Sequence, residues 1–411
     1  MKKRTKYFAH LTDVYQDTRK NKRFGRDSLV YEFSWMSNLY RDFDAREKKE
    51  LAIDHNYTFL VSIPRWREIM ATEFKGRVLD HEICEVVIPT ANKVLSPYTF
   101  NNRKGMGASA AINQLIFNIE AVTENYTRPA RIIKLDIKGY FPNARWDYAY
   151  EQVCKVIDLS DYPYKGYMKW LAQRAIYCDP ANHCEFRTPR FFWDMYIDPE
   201  KSIFSKPYGV GAAIGRLIWQ TAMGLYINDD IRWLNEVCGI PVVCFVDDIV
   251  MVVPEHLHEY ALSLIPELRR RFSEKGVHLN DGKFYDQPAT HGVEFLGSHI
   301  MPRRIHLNTG TIESAIARID QLNALRNKKK YLEMAQPSIN SYTGLTKTRT
   351  NYKATQRIRE RIVSDWWKYL EWDESRQCVI VRPGYKMKDR LNEKYHLNLT
   401  YHDERRNSGA A

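Results

Sequence analysis

Three aspartates stand where apolar, strand-like runs of the sequence end. Asp136 closes the run 132–136, and the adjacent pair Asp247 and Asp248 separates two further apolar runs. Burying a carboxylate costs several kcal/mol unless the group is paired or bound to a metal. Because two neighbouring acids on a tight turn repel each other, a divalent cation between them is the economical explanation. An Asp-Asp turn without a role is the alternative interpretation.

Paired magnesium ions are the arrangement that best fits these carboxylates. Mg²⁺ prefers hard oxygen ligands together with substrate phosphates, which suits a site with two or three protein carboxylates. Two such ions about 4 Å apart serve nucleotidyl transfer, where one activates a primer hydroxyl and the other holds the triphosphate. The sequence therefore predicts a two-Mg²⁺ site at Asp136, Asp247 and Asp248, with Mn²⁺ as a substitute ion.

The elements around these acids predict an α+β sheet. The β-branched runs 241–246 and 249–253 flank the Asp pair and indicate a β-hairpin with the carboxylates at its tip. Apolar residues keep helical spacing over roughly 212–236 and again over 257–272, where a proline shortens or kinks the second helix. An extended piece follows at 293–297. This order predicts an antiparallel sheet with helices on one face.

The composition is typical of a large folded protein with an anionic partner. Of 411 residues, 44% are hydrophobic and 13% aromatic, which excludes a disordered or fibrous chain. The 62 Lys and Arg exceed the 50 acids and give a net charge of +12, which favours nucleic acid as the partner. General solubility is the other interpretation of this charge.

Several features predict a cytoplasmic protein. No run reaches the roughly 18 apolar residues of a membrane span, and no apolar segment of a secretory signal follows the basic N-terminus. The seven cysteines are odd in number and scattered, which favours a reducing compartment. Cys178, His183 and Cys184 lack the usual zinc spacing and a fourth ligand. Nothing in the sequence marks the oligomeric state, so a homo-oligomer stays open.

Basic residues concentrate in two segments. Residues 1–23 carry eight Lys and Arg against two acids, and residues 326–361 carry ten against two. Tyrosines interleave the second segment, and such a surface suits phosphate contacts together with base stacking. A solvated helical face is the alternative interpretation.

An ordered series of motifs resembles that of reverse transcriptases. Leu135-Asp136-Ile137-Lys138-Gly139-Tyr140-Phe141 resembles the first catalytic motif, and Phe245-Val246-Asp247-Asp248 resembles the aromatic-x-Asp-Asp signature. Segments 64–69, 96–100 and 103–105 resemble the motifs of the fingers, and 215–220 resembles the helix motif that faces template and nucleotide. Segments 279–283 and 295–297 resemble the lysine loop and the primer grip. Each motif is weak alone, and their order over residues 60 to 300 makes the set specific.

The resemblance implies a role for each matching residue. The three aspartates, with the Ile137 carbonyl, would hold the metals, and Lys283 would protonate or neutralise the leaving pyrophosphate. The implied nucleotide-binding residues are Arg65, Arg67, Phe141, Ile214, Gly215 and Gln220. The implied primer grip is Phe295, Leu296 and Gly297. The implied nucleic-acid contacts are Arg103, Lys104, Lys347, Arg349, Lys353 and Arg357.

Three of these roles carry their own reasons and alternatives. Phe141 would exclude a 2′-hydroxyl and so favour dNTPs, or it is an ordinary core residue. Arg67 and Arg65 would grip the triphosphate, since a guanidinium fork suits phosphate oxygens, or they make surface salt bridges. Ile214 stands where accurate enzymes carry Gln, which implies loose nucleotide selection.

The resemblance also implies a fold and a domain order. A right-hand polymerase is expected, with fingers, an RRM-like palm and a helical thumb. The expected ranges are 1–125 for an N-terminal region with fingers, 126–305 for the palm with an insertion at about 178–208, 306–375 for a basic thumb, and 376–411 for a C-terminal extension.

Among reverse transcriptases, the chain is most similar to the bacterial enzymes of diversity-generating retroelements and of antiviral defence. The segment from Trp193 to Phe204 resembles one that these groups share. The favoured function is cDNA synthesis from a noncoding RNA template in antiviral defence, with template RNA, DNA primer or product and dNTPs as partners. Three alternatives stay open: a mutagenic retroelement enzyme, an RNA-dependent RNA polymerase, and a non-catalytic RNA-binding protein.

Overall fold

The chain mixes helices and strands and divides into two compact units, residues 1–289 and 290–411. The computed structural model describes residues 2–20, 26–53, 55–62, 66–346 and 352–385. Within those ranges, no helix is both long enough and apolar enough to cross a membrane.

The first unit contains the candidate site. Its helices are α1 (Lys2–Arg19), α2 (Arg26–Phe33), α3 (Trp35–Glu47), α4 (Phe74–Val94), α5 (Ala108–Val122), α6 (Trp146–Leu159), α7 (Lys165–Ile176), α8 (Phe191–Tyr196), α9 (Leu217–Tyr226), α10 (Asn228–Arg232), α11 (His258–Ser263) and α12 (Ile265–Glu274). Its strands are β1 (Asn56–Val61), β2 (Arg67–Thr72), β3 (Ala130–Lys138), β4 (Cys184–Phe186), β5 (Val242–Phe245), β6 (Asp248–Pro254), β7 (His278–Leu279) and β8 (Tyr285–Pro288).

A five-stranded antiparallel sheet forms the centre of this unit. Strand β6 pairs with one edge of β3 and carries β5 on its outer side, while β7 and β8 pair with the other edge of β3. The predicted hairpin is therefore present as β5–β6. Its turn consists of Val246 and Asp247, one residue earlier than predicted, because Asp248 already pairs with Phe245 as the first residue of β6.

Helices cover both faces of this sheet, not one face as predicted. Residues 249–253 of β6 are all buried, which requires cover on both sides of the strand. Ile249, Met251 and Val253 belong to the main hydrophobic core, which also includes residues of α4, α6, α7 and α9. Helix α5 packs against β5 and β6. The prediction was wrong because these strands are apolar on both faces and not alternately apolar and polar.

A second, three-stranded sheet has the order β2-β1-β4. Strands β1 and β2 are antiparallel, whereas β4 runs parallel to β1. Strand β4 comes from the predicted insertion at 178–208, so this segment joins strands that the sequence assigned to the N-terminal region.

The two predicted helices near the hairpin are shorter than their patterns indicate. The first begins at Leu217, because Gly215 adopts a φ of +125° that a helix does not allow, and it breaks again at Ile227. The second is divided into α11 and α12 at Leu264. Pro266 lies in the first turn of α12, where the missing amide hydrogen costs least.

The second unit combines short sheets with helices. Its elements are β9 (Val293–Phe295), β10 (Ser298–Met301), β11 (Arg304–Leu307), α13 (Thr309–Asn323), α14 (Lys328–Thr346), α15 (Tyr352–Arg361), β12 (Leu370–Asp373) and β13 (Cys378–Val381). Buried residues of all three helices share one core with β12 and β13. The predicted boundary at 375/376 therefore falls inside the β12–β13 hairpin, and the predicted boundary at 305 falls inside β11. Strands β9 and β10 belong to this unit although they precede that boundary.

Candidate active site

The three predicted aspartates meet at one end of the β3–β6 pair. Asp136 and Asp248 are directly opposite each other in the antiparallel register, where Cα atoms lie about 4.5–5.5 Å apart. The amide of Ile137 donates a hydrogen bond of 3.0 Å to the carbonyl of Asp247. The sheet thus brings together residues that are far apart along the chain.

The β5–β6 turn holds Asp247 at its tip in an uncommon backbone conformation. Val246 has a φ of +59°, and this left-handed region is a genuine outlier for a β-branched residue. Such strain persists only where the surrounding structure enforces it, and it clusters at functional sites. Here the pairing of Phe245 with Asp248 closes the two-residue turn and enforces it.

The carboxylates of Asp136 and Asp248 occupy the sheet face opposite the main core. Ile133, Leu135 and Ile137 of β3 point into that core, so Asp136 lies on the other face because side chains alternate along a strand. Asp248 shares that face as the cross-strand neighbour of Asp136. Core residues of the same strands therefore hold the backbone in place, and the two carboxylates lie on the opposite face of the sheet.

Lysines neutralise two of the three acids. The Lys283 ammonium lies 2.6 Å from Oδ1 of Asp136, and the Asn280 side-chain amide donates to Oδ2 of the same residue at 3.0 Å. The Lys134 ammonium lies 3.1 Å from Oδ1 of Asp248. The Lys283 side chain is 44% exposed, so its ammonium can return to water when another cation takes its place at the buried Asp136.

Asp247 is the least compensated of the three acids. Burial raises its pKa, and the neighbouring carboxylates of Asp248 and Asp136 raise it further. No Lys, Arg or His among the described residues forms an ion pair with Asp247. Its environment therefore favours either a proton or an additional cation.

The donor set fits a divalent cation, although no metal cage is preformed. Among the described residues, no three His, Cys, Asp or Glu side chains already stand as a group that could hold a metal ion. Asp136 and Asp248 are turned to their lysines instead. The three groups are hard oxygen donors, and the burial of Asp247 beside the carboxylates of Asp248 and Asp136 is an arrangement that a cation would stabilise.

The predicted nucleotide-binding residues differ in how far they are exposed. Arg67 is exposed at the start of β2. Gln220 is half-buried on α9, and its backbone carbonyl accepts a hydrogen bond of 2.9 Å from the side-chain amide of Asn102. Phe141 is half-buried and packs against the main core. Its carbonyl accepts from the Ala212 amide at 2.8 Å, which ties the segment before Ile214 to the end of β3. Arg65 lies outside the described residues.

Gly215 has a packing reason that does not require a nucleotide. A Cβ at this position would lie 2.8 Å from the Met70 carbonyl of β2, in addition to the strain of a φ of +125°. The neighbouring Ile214 carbonyl accepts from the Met70 amide at 2.8 Å. The close approach predicted for this glycine is therefore made to the backbone of β2.

The residue after Gly215 anchors the motif in the interior. Arg216 donates to both carboxylate oxygens of Asp80 on α4, at 2.6 and 3.2 Å, and to the Ala175 carbonyl at 2.7 Å. Both side chains are almost completely buried. The Asp80–Arg216 pair thus fixes where α9 begins.

The predicted primer grip is a tight hairpin within the second unit. Leu296 and Gly297 form the two-residue turn between β9 and β10, both with positive φ, as a type I′ turn requires. Phe295 is buried beneath this turn.

Some of the basic residues predicted to contact nucleic acid are exposed, and one of them is hydrogen-bonded to the backbone of the protein. Lys104 is exposed, whereas the Arg103 guanidinium donates to the carbonyls of Asn92, Ser96 and Thr99. On α15, Lys353 and Arg357 are exposed.

Two further cations of the basic segment 326–361 are used within the second unit. Arg359 pairs with Glu374, and Arg361 pairs with Asp320. Lys347 and Arg349 lie outside the described residues.

Sequence reasoning missed Lys134 and Asn280 as partners of the acids. Lys134 could have been found, since it precedes Asp136 by two residues and a strand places both on one face. Asn280 follows β7, and only the pairing of β7 with the end of β3 brings it to Asp136.

No protein-family model and no curated protein sequence matches this chain. Solved structures to which the chain is similar include apo telomerase from Candida tropicalis truncated from its C-terminal domain, with a TM-score of 0.44 and 11% identity over 62% of this chain and 55% of that chain. Telomerase from Candida albicans in complex with a TWJ fragment of telomeric RNA gives 0.43 and 11% over 82% and 64%. The chain therefore spans less than two thirds of either telomerase.

Proposed function

We propose that this chain is an RNA-directed DNA polymerase that extends a primer with dNTPs. The observation that carries the proposal is the register of β3 and β6, which sets Asp136 opposite Asp248 and hydrogen-bonds Ile137 to the backbone of Asp247. Acids on a strained turn beside a buried strand have little structural use. They suit a reaction that needs divalent cations held by carboxylates.

The proposed cofactor is a pair of Mg²⁺ ions, for which Mn²⁺ can substitute, held by Asp136, Asp247 and Asp248 with the Ile137 carbonyl. When bound, such ions lower the pKa of a primer 3′-hydroxyl and stabilise the leaving pyrophosphate. The contribution of the chain is positional. Asp136 and Asp248 are fixed by the strand register, and Asp247 is fixed by the turn that β5 and β6 close.

The lysines take part in this proposal as exchangeable counterions. Lys134 and Lys283 neutralise Asp248 and Asp136 while no metal is bound. Released from Asp136, the Lys283 ammonium is a positive charge and a proton source beside the leaving pyrophosphate. Its exposure gives it the freedom to make this move.

The finer architecture belongs to the same proposal. The five-stranded sheet would be the palm, the β2-β1-β4 sheet with the N-terminal helices the fingers, and α13 to α15 the thumb. Arg67 would bind the triphosphate, and Phe141 would lie under the incoming sugar. Preference for dNTPs over rNTPs separates this proposal from an RNA-dependent RNA polymerase.

The biological role is proposed from the sequence resemblance. A dedicated noncoding RNA would serve as template, in antiviral defence. Sequencing the nucleic acids that co-purify with the chain tests this role. One discrete transcript encoded beside the gene supports it, whereas a neighbouring repeat pair with adenine-directed changes indicates the mutagenic retroelement role.

Primer extension on an RNA template tests the polymerase activity. The wild type should incorporate dNTPs in Mg²⁺, and the double variant Asp247→Ala/Asp248→Ala should lose synthesis while it still binds RNA. Asp158→Asn, which changes an exposed acid paired with Lys169, is the matched control and should retain wild-type rates. Synthesis by the double variant would refute the metal assignment, and RNA binding without any synthesis by the wild type would indicate a non-catalytic RNA-binding protein.

A further inference from the structure

Four aromatic side chains form a continuous stack on the surface of the first unit, called the aromatic stack below. Phe191 and Phe192 lie 4.3 Å apart at 29°, Phe192 and Tyr196 lie 5.8 Å apart at 18°, and Tyr196 and Trp66 lie 4.1 Å apart at 11°. Phe191 is 56% exposed, and Tyr196 and Trp66 are each nearly 40% exposed. These rings are close to parallel and are open to solvent.

A buried carboxylate holds the aromatic stack in place. Glu68 of β2 accepts hydrogen bonds from the Trp193 indole at 2.7 Å, the Ser202 hydroxyl at 2.8 Å and the Ile203 amide at 2.9 Å. These three bonds clamp the predicted insertion onto β2. Tyr196 of α8 is therefore set over Trp66, the residue just before β2.

The aromatic stack has no evident role in the stability of the unit. Rings that only stabilised the fold would be turned inwards, as Trp193 of the same helix is. Exposed apolar side chains that form one contiguous patch mark an interaction site. Since three polar contacts fix the clamp, the stack is a built surface and not a loose loop.

Ring geometry and charge indicate which partner fits. The end pairs of the stack, Phe191 with Phe192 and Tyr196 with Trp66, are separated by 4.3 and 4.1 Å, a spacing that stacked bases can continue. Aromatic side chains beside cations are how proteins bind single strands without reading sequence. Arg67 follows Trp66 and Arg190 precedes α8, and both are exposed. Asp194 is the one acid within α8, on a chain with a net charge of +12.

We propose that the aromatic stack is a binding platform for the bases of a single-stranded nucleic acid. The identity of that strand as the unpaired template rests on the proposed function, whereas the binding itself does not. β2, which carries the clamp, also bonds through Met70 to Ile214. The aromatic stack is therefore joined through β2 to Ile214, and the hydrogen bond from Ala212 to Phe141 connects this segment to the end of β3.

Fluorescence anisotropy of the full chain with fluorescein-labelled (rU)₁₂ in EDTA tests the platform. Trp66→Ala, Phe191→Ala and Tyr196→Ala should each raise the Kd by about fivefold or more, because losing one stacking ring weakens base binding by such a factor. Tyr196→Phe keeps the ring and should bind like the wild type. Phe33→Ala removes a side chain that is 93% exposed outside the stack and is the matched control.

The outcomes separate this proposal from the polymerase assignment. If all three alanine variants remain folded by circular dichroism and bind within twofold of the wild type, the platform is refuted even though primer extension succeeds. If the alanine variants lose affinity while the wild type synthesises no DNA, the platform stands and the polymerase assignment fails. A protein partner as the true occupant would appear as undiminished (rU)₁₂ binding by every variant.

Discussion

Two carboxylate sites in the first unit differ in how completely cations neutralise their buried negative charge. At the Asp80–Arg216 pair, a guanidinium fork binds both oxygens of one carboxylate, and a third bond goes to a backbone carbonyl. At the β3–β6 end, three acids share two lysines, and Asp247 is left without an ion pair among the described residues.

The difference lies in how readily the cation can leave. Arg presents a rigid planar fork that matches a carboxylate, whereas Lys is a point charge on a flexible stem. The Asp80–Arg216 pair is nearly fully buried and closed, but Lys283 is 44% exposed. The first arrangement maintains the fold, and the second is suited to exchange its cations for metal ions.

Breaking the closed pair should give the largest effect on stability. Asp80→Ala leaves the Arg216 guanidinium buried without its carboxylate, and such a loss costs about 3–5 kcal/mol. Urea denaturation followed by circular dichroism should show this loss in the free energy of unfolding. The double variant Asp80→Leu/Arg216→Met removes both charges and should recover most of it. Wild-type stability of Asp80→Ala would mean that this pair does not maintain the fold.

Breaking the Lys134–Asp248 ion pair should affect metal binding more than the stability of the fold. Lys134→Met removes the cation that competes for Asp248, so the Mg²⁺ concentration for half-maximal synthesis should fall severalfold. The free energy of unfolding should fall by less than in Asp80→Ala, because the Lys134 and Asp248 side chains are 17% and 23% exposed and are not fully buried. The electron paramagnetic resonance signal of free Mn²⁺ gives the affinity independently of synthesis.

Lys155→Met, which removes an exposed partner of Glu151, is the matched control for this measurement. It should leave the Mn²⁺ affinity unchanged. A weaker Mn²⁺ affinity in Lys134→Met than in the wild type would mean that Lys134 supports metal binding and does not compete with it.

The smallest effect should come from the pH dependence of Asp247. Burial and the adjacent acids raise its pKa in the folded state, so the folded chain holds this proton more tightly than the unfolded chain does. The wild type therefore loses stability as pH rises from the ordinary Asp pKa, about 3.9, through the raised value. The Asp247→Asn variant has no carboxyl group that titrates at this position, so its free energy of unfolding should exceed that of the wild type at pH 7.

The stability gain of Asp247→Asn should shrink towards zero as the pH falls to about 4. Urea midpoints at a series of pH values measure it. A gain that is constant with pH, or that grows in acid, would contradict the raised pKa.

The sequence was sufficient where local patterns decide the structure. Runs of β-branched residues predicted β3, β5 and β6, and the position of the acids at the strand ends predicted that they meet. The proline between Leu264 and Phe272 predicted the break between α11 and α12. These features depend on strand and helix periodicity and on the geometry of one residue.

The rest depended on tertiary contacts that no local pattern records. The contact of Arg103 with nucleic acid stays a prediction, and its hydrogen bonds to three backbone carbonyls had no signal in the local sequence. Gly215 was attributed to a nucleotide pocket, yet it is required by the approach of β2. Glu68 lies in the segment 64–69 that resembles a polymerase motif, but its hydrogen bonds could not be predicted, because its three partners come from residues 193–203.

Anomalous diffraction can locate metal ions bound at the β3–β6 end. Crystals of the chain with a primer–template duplex and a non-hydrolysable dNTP, soaked in Mn²⁺, should show two peaks about 4 Å apart. The two ions should be coordinated by Asp136, Asp247 and Asp248, with Lys134 and Lys283 moved away from their carboxylates. Peaks elsewhere, or none at the β3–β6 end, would contradict the account.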